Sequence, residues 1–594
     1  MKVPARLSTK YQAAEEFMTK SLLPIFLLFT AAGIAQQPVA QLPLTYIDTT
    51  FDLPTGATWQ AHTSTDFRNA LNSANPGDII VLDAGVTYQG NFTLPVKTNP
   101  LNNWIYITTS AYTSLPAPGT RVLPTDAANM PKIVTPNATS AITLAPGANH
   151  YRFVGLEIYS ASTQGCNPKA TPPVNCLSYE LIYATMAPGT AANDSITVDR
   201  CYVNGSPSID IQHAIVANGS NFAVVDSYVS DIHAAGTDAQ AIGEWFSPGP
   251  IKIVNNFLSA SSEDVMFGGA GGVSNPFVPA DIEIRNNHFY KPLSWAQVGV
   301  SIPPNNTMVV KNNLEFKSAK RALVDGNLFE NVWVSGQTGF STMLTPRTGQ
   351  GGLLAVVNDI MISNNVYKNV SSGFDIAALD NECRSANGCT NPGEARRVVF
   401  YNNLFLLGDT TQTGYTTGYD YAGLINKQVT DFVFQHNTVV PPPNLGYCKG
   451  SLRFDATTPY NPPTPSTHNV WILDNVFCRQ INGPAGMVGQ FPYVLSAYMG
   501  DPSPADPRLR GNVFYAPTGD RIYALPPHNY STDVKPKNSN DSEYHLSYPA
   551  KMETTDGQGA GVDRSKLTAA YSAESRIKLP PGSQTPAGAP EKKQ

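Results

Sequence analysis

The stretch Lys317-Ser318-Ala319-Lys320-Arg321-Ala322-Leu323-Val324-Asp325-Gly326-Asn327-Leu328-Phe329 is one copy of a unit that recurs along most of the chain. It carries two apolar residues at alternate positions, Ala322 and Val324, then a turn ending in Asn327, then a large apolar residue, Phe329. Aligning other copies on the Asn brings whole columns into register. Five residues before it stand Ile196, Phe222, Ile251, Ile282, Ile360, Val398, Phe432 and Val470; three before it stand Val198, Val224, Ile253, Ile284, Ile362, Phe400, Phe434 and Ile472. The turn column reads Cys201, Ser227, Asn256, Asn287, Asn327, Asn365, Asn403, Asn437, Asn475 and Asn512, at spacings of 26 to 40 residues.

Alternation with period two makes each unit a short strand with one buried face. Repetition at this spacing is the mark of a solenoid whose coils carry loops of variable length. The expected fold is all-β: a right-handed parallel β-helix, with equivalent positions stacked about 4.8 Å apart. Asn suits the turn column for two reasons: it tolerates left-handed backbone geometry, and its amide can donate and accept along the stacking axis.

Reading outward, residues 1–35 are expected to be a signal peptide. Lys20 precedes an apolar run, Leu22 to Ile34, that is too short to span a bilayer, and Gly33-Ile34-Ala35 supplies small residues before a cut ahead of Gln36. The mature chain is thus expected to be secreted, with no membrane association. Residues 36–100 read as a lead-in, a cap helix and a first coil, with the helix N-capped at Ser64 or Thr65. Residues 101–515 read as the solenoid. Residues 516–594 read as an irregular C-terminal cap and a proline-rich, disordered tail, with a short helical run from Arg564 to Glu574.

Of 39 basic and 45 acidic side chains, the first 35 residues hold four and two, leaving 35 against 43 and a net charge of about −8. That balance argues against nucleic acid as a partner. Seven cysteines in an exported chain suggest disulfides with one thiol left over. The pairings Cys166 with Cys176, Cys383 with Cys389 and Cys448 with Cys478 are expected, with Cys201 a buried free thiol in the turn column.

A second set of strands, between one turn Asn and the next repeat strand, gathers charge: Asp210, His213, Asp238, Gln240, Glu244, Glu263, Asp264, Lys317, Arg347, Asp380, Glu382, Asp420, Arg453 and Asp455. Parallel stacking would set these along one face. A charged row across a sheet suits an elongated, hydrogen-bonding ligand, so a polysaccharide is the expected partner of a monomeric chain. Asp238 and Arg321 are candidate substrate-binding residues, and Trp245 a candidate platform for a sugar ring. The glycine-rich runs Phe267 to Gly272 and Thr348 to Gly352 supply loops on this scaffold.

The run Asp66 to Leu94, with Pro76-Gly77-Asp78, Ile79 to Leu82, Ala84-Gly85 and Tyr88-Gln89-Gly90, resembles the N-terminal cap and first coil of the pectate-lyase-like β-helix superfamily. The nearest likeness is to the chondroitinase B and alginate lyase group of polysaccharide lyases. Glu315-Phe316-Lys317-Ser318 is similar to the Lys-Ser coil of that group, and Arg347 falls one coil later, where the group places its catalytic Arg. The resemblance implies β-elimination from a uronic-acid polysaccharide, with Lys317 as base and Arg347 neutralising the carboxylate or protonating the leaving oxygen. Acidic residues such as Glu244 and Asp264 could then hold a Ca²⁺ that neutralises the uronate. The local sequence departs from the group's Arg-His-Gly, reading Thr345-Pro346-Arg347-Thr348-Gly349. Two alternatives stand beside elimination. Paired carboxylates among Asp238, Glu244, Glu263 and Asp264 would serve a glycoside hydrolase, although polygalacturonase motifs are missing. A non-catalytic glycan-binding β-helix would use the same row without turnover.

Overall fold

In a computed structural model the chain is described over residues 36–162, 176–185, 190–206, 209–234, 236–269, 277–296, 308–347, 355–378, 394–408, 421–426, 429–455, 467–478, 508–515, 530–532 and 560–572. Three parallel sheets run along it, with fourteen, eleven and fourteen strands among the described residues. Sheet one runs from Thr58–Ala61 to Leu509–Arg510, sheet two from Phe92–Leu94 to Gly450–Asp455, and sheet three from Thr87–Gln89 to Tyr530–Thr532. A full coil gives one strand to each sheet in turn, which is a parallel β-helix. The register carries Val324 onto Ile362 and Ile362 onto Phe400, all fully buried. Aromatic rings stack along the interior in the same way, from Phe289 to Phe329, Tyr367 and Phe405, with centroids 4.5–4.8 Å apart.

The turn column is a continuous hydrogen-bonded ladder. Asn287 donates both its backbone N–H and its Nδ2 to Asn327 Oδ1, at 2.9 and 3.0 Å, and Nδ2 also donates to the Ile253 carbonyl at 2.8 Å. The same pattern repeats at Asn327, Asn365, Asn403 and Asn475. Cys201 and Ser227 begin it, the Ser227 hydroxyl accepting from Cys201 N at 3.0 Å. One expected reason for Asn is displaced by a residue. The left-handed conformation falls on the position before the column, at Asp226, Asn255, Asn286, Gly326, Asn364, Asn402 and His436. The column Asn is there for the ladder.

A ten-residue helix, Ser64–Ser73, buries Phe67, Ala70 and Leu71 against the first coils, with Phe67 and Phe92 centroids 4.6 Å apart. It therefore closes off apolar surface that a solenoid end would expose. Its N-cap is Thr63, earlier than expected, whose hydroxyl accepts from Asp66 N at 3.1 Å. Among the described residues before the helix, only Thr58–Ala61 pairs as a strand, with Ile79–Leu82. The preceding segment instead runs along the outside of sheet one, against the direction of stacking. Gln37 bonds Gln435, Ala40 packs with Val399, Val433 and Trp471, Gln41 N donates to Asp359, and Leu44 N donates to Asp281. Further on, the Ile47 carbonyl accepts from Lys252, and the Thr49 and Thr50 carbonyls accept from Arg152. Buried cations on the sheet thus find carbonyl partners in the strap.

Near the other terminus, a 3-10 turn and short helix at Arg564–Leu567 and Thr568–Ser572 pack against the outer face of sheet three. Val562, Leu567 and Ala570 meet Leu328, Val366, Leu404 and Val440. This described part of the expected C-terminal cap therefore lies on the side of the solenoid. Cys448 and Cys478 form a disulfide, and Cys201 is a buried free thiol whose pKa burial pushes up to about 12. The other two expected pairings, and residues 1–35, lie outside the described residues. Among the described residues no helix is long and apolar enough to cross a membrane.

Candidate functional site

Sheet two carries the charged row. Its alternation breaks in the middle of the strand: Ala214 and Ile215 both enter the core, as do Ala241 and Ile242 one rung on. Beyond the break, Ile215, Ile242, Val265 and Leu314 align as one core column, and Glu244, Phe267 and Phe316 as another. Two consecutive inward residues exchange the faces on either side of them. His213, Gln240 and Glu263 therefore form one outward row before the break, while Gly243, Met266, Glu315, Met343, Asp375, Leu424 and Arg453 form another after it.

Lys317 follows the short strand Leu314–Phe316. Its side chain is 14% exposed, and its Nζ lies 3.6 Å from a Glu315 carboxylate oxygen and 3.2 Å from Met266 Sδ. Arg347 belongs to the next rung. Thr345 N donates to the Phe316 carbonyl at 2.9 Å and Arg347 N to the Lys317 carbonyl at 2.8 Å, so backbone hydrogen bonding between the two rungs continues past the strand ends and reaches both residues. Beneath them Glu315 is buried; burial pushes its carboxyl up to about 7, against the pull of Lys317 and with the help of neighbouring Glu263. Glu263 accepts from Gln240 Nε2 at 2.6 Å and is fully buried.

Asp238 is 41% exposed and accepts from Lys311, whose ammonium is also 3.5 Å from Glu263. Burial works against the charge on Lys311, but Glu263 and Asp238 outweigh it and hold the ammonium above its ordinary range. Trp245 lies on the outer face over Gly243, where a Cβ would stand 2.4 Å from the indole Cη2; only glycine leaves room for it. Its ring meets His213 edge-on, with centroids 4.8 Å apart, and burial pushes that imidazole down to about 4, so it is neutral at pH 7.

The structure thus places Lys317, Arg347 and Trp245 just past the C-terminal ends of sheet-two strands, and Asp238 just before the start of one. It places three other expected residues elsewhere. Arg321 belongs to sheet one, where its guanidinium holds Asp281 through two hydrogen bonds of 2.6 and 3.0 Å, and Asp281 in turn holds Leu44 of the strap. It stands four positions after Lys317, but the intervening corner turns it to another sheet. Glu244 shares its column with core residues Phe267 and Phe316 and is buried, and its pKa rises to about 8 because burial penalises the charge. Asp264 is buried as well, taking Ala260 N and Asn313 Nδ2 at 2.7 Å each, with Lys291 Nζ at 3.4 Å. A carboxyl kept neutral and a carboxylate already given to a buried lysine do not fit a calcium site, which needs several converging ionised oxygens. Among the described residues no group of three or more His, Cys, Asp and Glu side chains is arranged to hold a metal ion. Asp380, Glu382 and Asp420 of the expected row lie outside the described residues.

Lys311 was missed by sequence reasoning. The nearest signal is its place in Lys311-Asn312-Asn313-Leu314-Glu315-Phe316-Lys317, two lysines bracketing a glutamate. Nothing in that run reveals that its partner is 73 residues away.

No protein-family model matches the chain, and comparison with curated proteins finds no match. Among solved structures it is similar to the PL6 family alginate lyase AlyGC, at 13% identity and a TM-score of 0.47, covering 88% of this chain and 59% of that one. It is similar to the pectate lyase Pel9A at 12% identity and a TM-score of 0.33, covering 60% and 76%. A third is the polygalacturonase from Erwinia carotovora ssp. carotovora, at 11% identity and a TM-score of 0.36, covering 69% and 94%. The chain spans about three-fifths of the length of the alginate lyase. These likenesses concern the fold.

Proposed function

We propose that the protein is secreted and cleaves a uronic-acid polysaccharide by β-elimination on the outer face of sheet two. The observation that carries this reading is the pairing of Lys317 with Arg347 on consecutive rungs, joined by the 2.8 Å hydrogen bond from Arg347 N to the Lys317 carbonyl. Elimination needs a base for the proton at C5, a cation facing the carboxylate beside it, and a proton for the leaving oxygen. An amine and a guanidinium one rung apart supply those parts. Lys317 takes the C5 proton in its unprotonated form. Arg347 faces the carboxylate or the leaving oxygen, and Trp245 offers an apolar face for a neighbouring sugar ring.

Glu263 and Glu315 favour a second reading, hydrolysis by paired carboxylates, because Glu315, raised to about 7, is suited to an acid's role. Both carboxyls are buried beneath the lysines, however, which leaves the cations as the groups a polymer meets first. Incubation with alginate, pectate and glycosaminoglycans separates these readings. Elimination gives an unsaturated product with new ultraviolet absorbance; hydrolysis gives reducing ends without that absorbance; binding with neither supports a non-catalytic role.

A further inference from the structure

We propose that the strap from Gln37 to Thr50 is a clasp that makes the solenoid open as one body, because it ties together coils that are far apart along the helix. This holds whether or not the chain cleaves a glycan. A parallel β-helix stacks each coil on its neighbours alone, so coils at either end are free to open in turn without disturbing the middle. The strap cuts across that order. Its first residues lie on the strand Val429–Gln435, where Gln37 Nε2 donates to Gln435 Oε1 at 2.8 Å across 398 positions of sequence. Its last residues lie on Asn149–Val154, where Arg152 donates to the Thr49 and Thr50 carbonyls at 2.9 and 2.8 Å. Those two strands bound a run of nine consecutive strands in sheet one. Eight steps of about 4.8 Å make roughly 38 Å, and the thirteen residues after Gln37 up to Thr50, extended at about 3.3 Å each, reach about 43 Å. An extended chain fits that span with little slack.

The sheet grips the strap by its backbone. Toward the C-terminal coils carboxylates take strap N–H groups: Gln41 N donates to Asp359 at 3.0 Å and Leu44 N to Asp281 at 2.9 Å. Toward the N-terminal coils cations take strap carbonyls, Lys252 Nζ donating to Ile47 O at 2.9 Å and Arg152 as above. Each of these four side chains is paired in turn with a charge on the next strand: Asp359 with Arg397, Asp281 with Arg321, Lys252 with Glu283 and Arg152 with Asp199. One strap contact therefore engages two coils. Apolar seats add to the grip, since Ala40, Pro43 and Ile47 are buried while Val39 and Leu44 stay exposed. Two of the strands so joined, Ala319–Asp325 and Val356–Ser363, follow Lys317 and Arg347 in the chain, so the clasp spans the coils that carry the candidate site.

The test unseats the strap and leaves every strand residue of the three sheets unchanged. Ala40→Asp combined with Ile47→Asp puts a charge into two buried seats, and hydrogen exchange read peptide by peptide compares the full-length variant with wild type. Three strands of sheet two report on early, middle and late coils: Ile209–Ala217, Phe340–Leu344 and Tyr421–Asn426. In wild type their slowest amides are expected to share one protection factor to within about threefold, as one cooperative unit requires. In the folded variant Tyr421–Asn426 is expected to become at least about a hundredfold less protected than Phe340–Leu344. Ile47→Asp alone serves the same comparison if the double variant does not fold. Wild-type protection that is already graded from coil to coil overturns the proposal. So does a folded variant whose three strands stay matched, because the strap would then add stability without coupling the coils.

Discussion

Gly269 lies against the stem of Lys317: a Cβ at that glycine would stand 2.5 Å from Lys317 Cδ, and the glycine adopts φ +91°. The close approach links the glycine-rich run after Phe267 to the proposed base. Gly269→Ala should both strain the backbone and displace the amine. Turnover is expected to fall at least tenfold, with a stability loss of about 1–2 kcal/mol. Unchanged kcat in a folded variant would show that the position of the Lys317 stem is immaterial.

Lys317→Ala should abolish elimination and shift unfolding by less than about 1 kcal/mol, because the lysine is partly exposed and Glu315 can protonate in its absence. Chemical denaturation beside a product assay checks this. A large stability loss would mean that the lysine holds the fold together and its loss says nothing about chemistry.

The opposite pattern is expected at Asn365. Its Oδ1 accepts from the N–H and Nδ2 of Asn327, and its Nδ2 donates to the Val324 carbonyl, all in the buried interior. Asn365→Ala strands these groups, and unsatisfied buried donors and acceptors should cost roughly 3–5 kcal/mol in total. Whatever fraction remains folded should retain normal activity, which a specific-activity measurement on folded protein tests.

Glu244 predicts a pH dependence of stability. Its folded pKa of about 8 is raised from an ordinary 4.5 by burial, so the native state keeps a proton that the unfolded chain has lost. Its contribution is fully present below the unfolded value and is lost as pH rises through the folded value. Glu244→Gln keeps the shape without the titration. The variant's stability relative to wild type should therefore climb between pH 5 and about 8 and level off above. A gap that stays constant across that range would contradict a protonated Glu244.

Arg321→Ala should release Asp281 and loosen the strap at Leu44 without affecting the sheet-two site. The expected cost is about 1–3 kcal/mol for a charged hydrogen-bonded pair, with faster proteolysis between residues 37 and 57 and unaltered KM. A raised KM would return Arg321 to substrate binding.

The repeat was legible because it is written in one dimension. Apolar residues five and three before each turn, and the Asn that closes it, recur in the sequence as they stack in space, so Val324, Ile362 and Phe400 could be placed in one column from their spacing alone. The same logic placed Lys317 and Arg347 on consecutive rungs. It failed where alternation breaks. Counting by twos cannot see that Ala241 and Ile242 both turn inward, and a single such step sends Glu244 to the core and leaves Gly243 beneath Trp245. Arg321 was misplaced for a related reason, since the corner after Ser318 carries the chain to another sheet.

The amino-acid sequence by itself therefore determined the solenoid, its ladder and its rung order, because each coil repeats the same short-range preferences and stacking merely copies them. Tertiary structure decided which side chains face outward and what each charge meets there. Lys311 finds Asp238 across 73 residues, and the strap finds Asp281 and Asp359 across more than two hundred. Charge pairing depends on distance in space, and loops of unequal length erase that distance from the order of the chain.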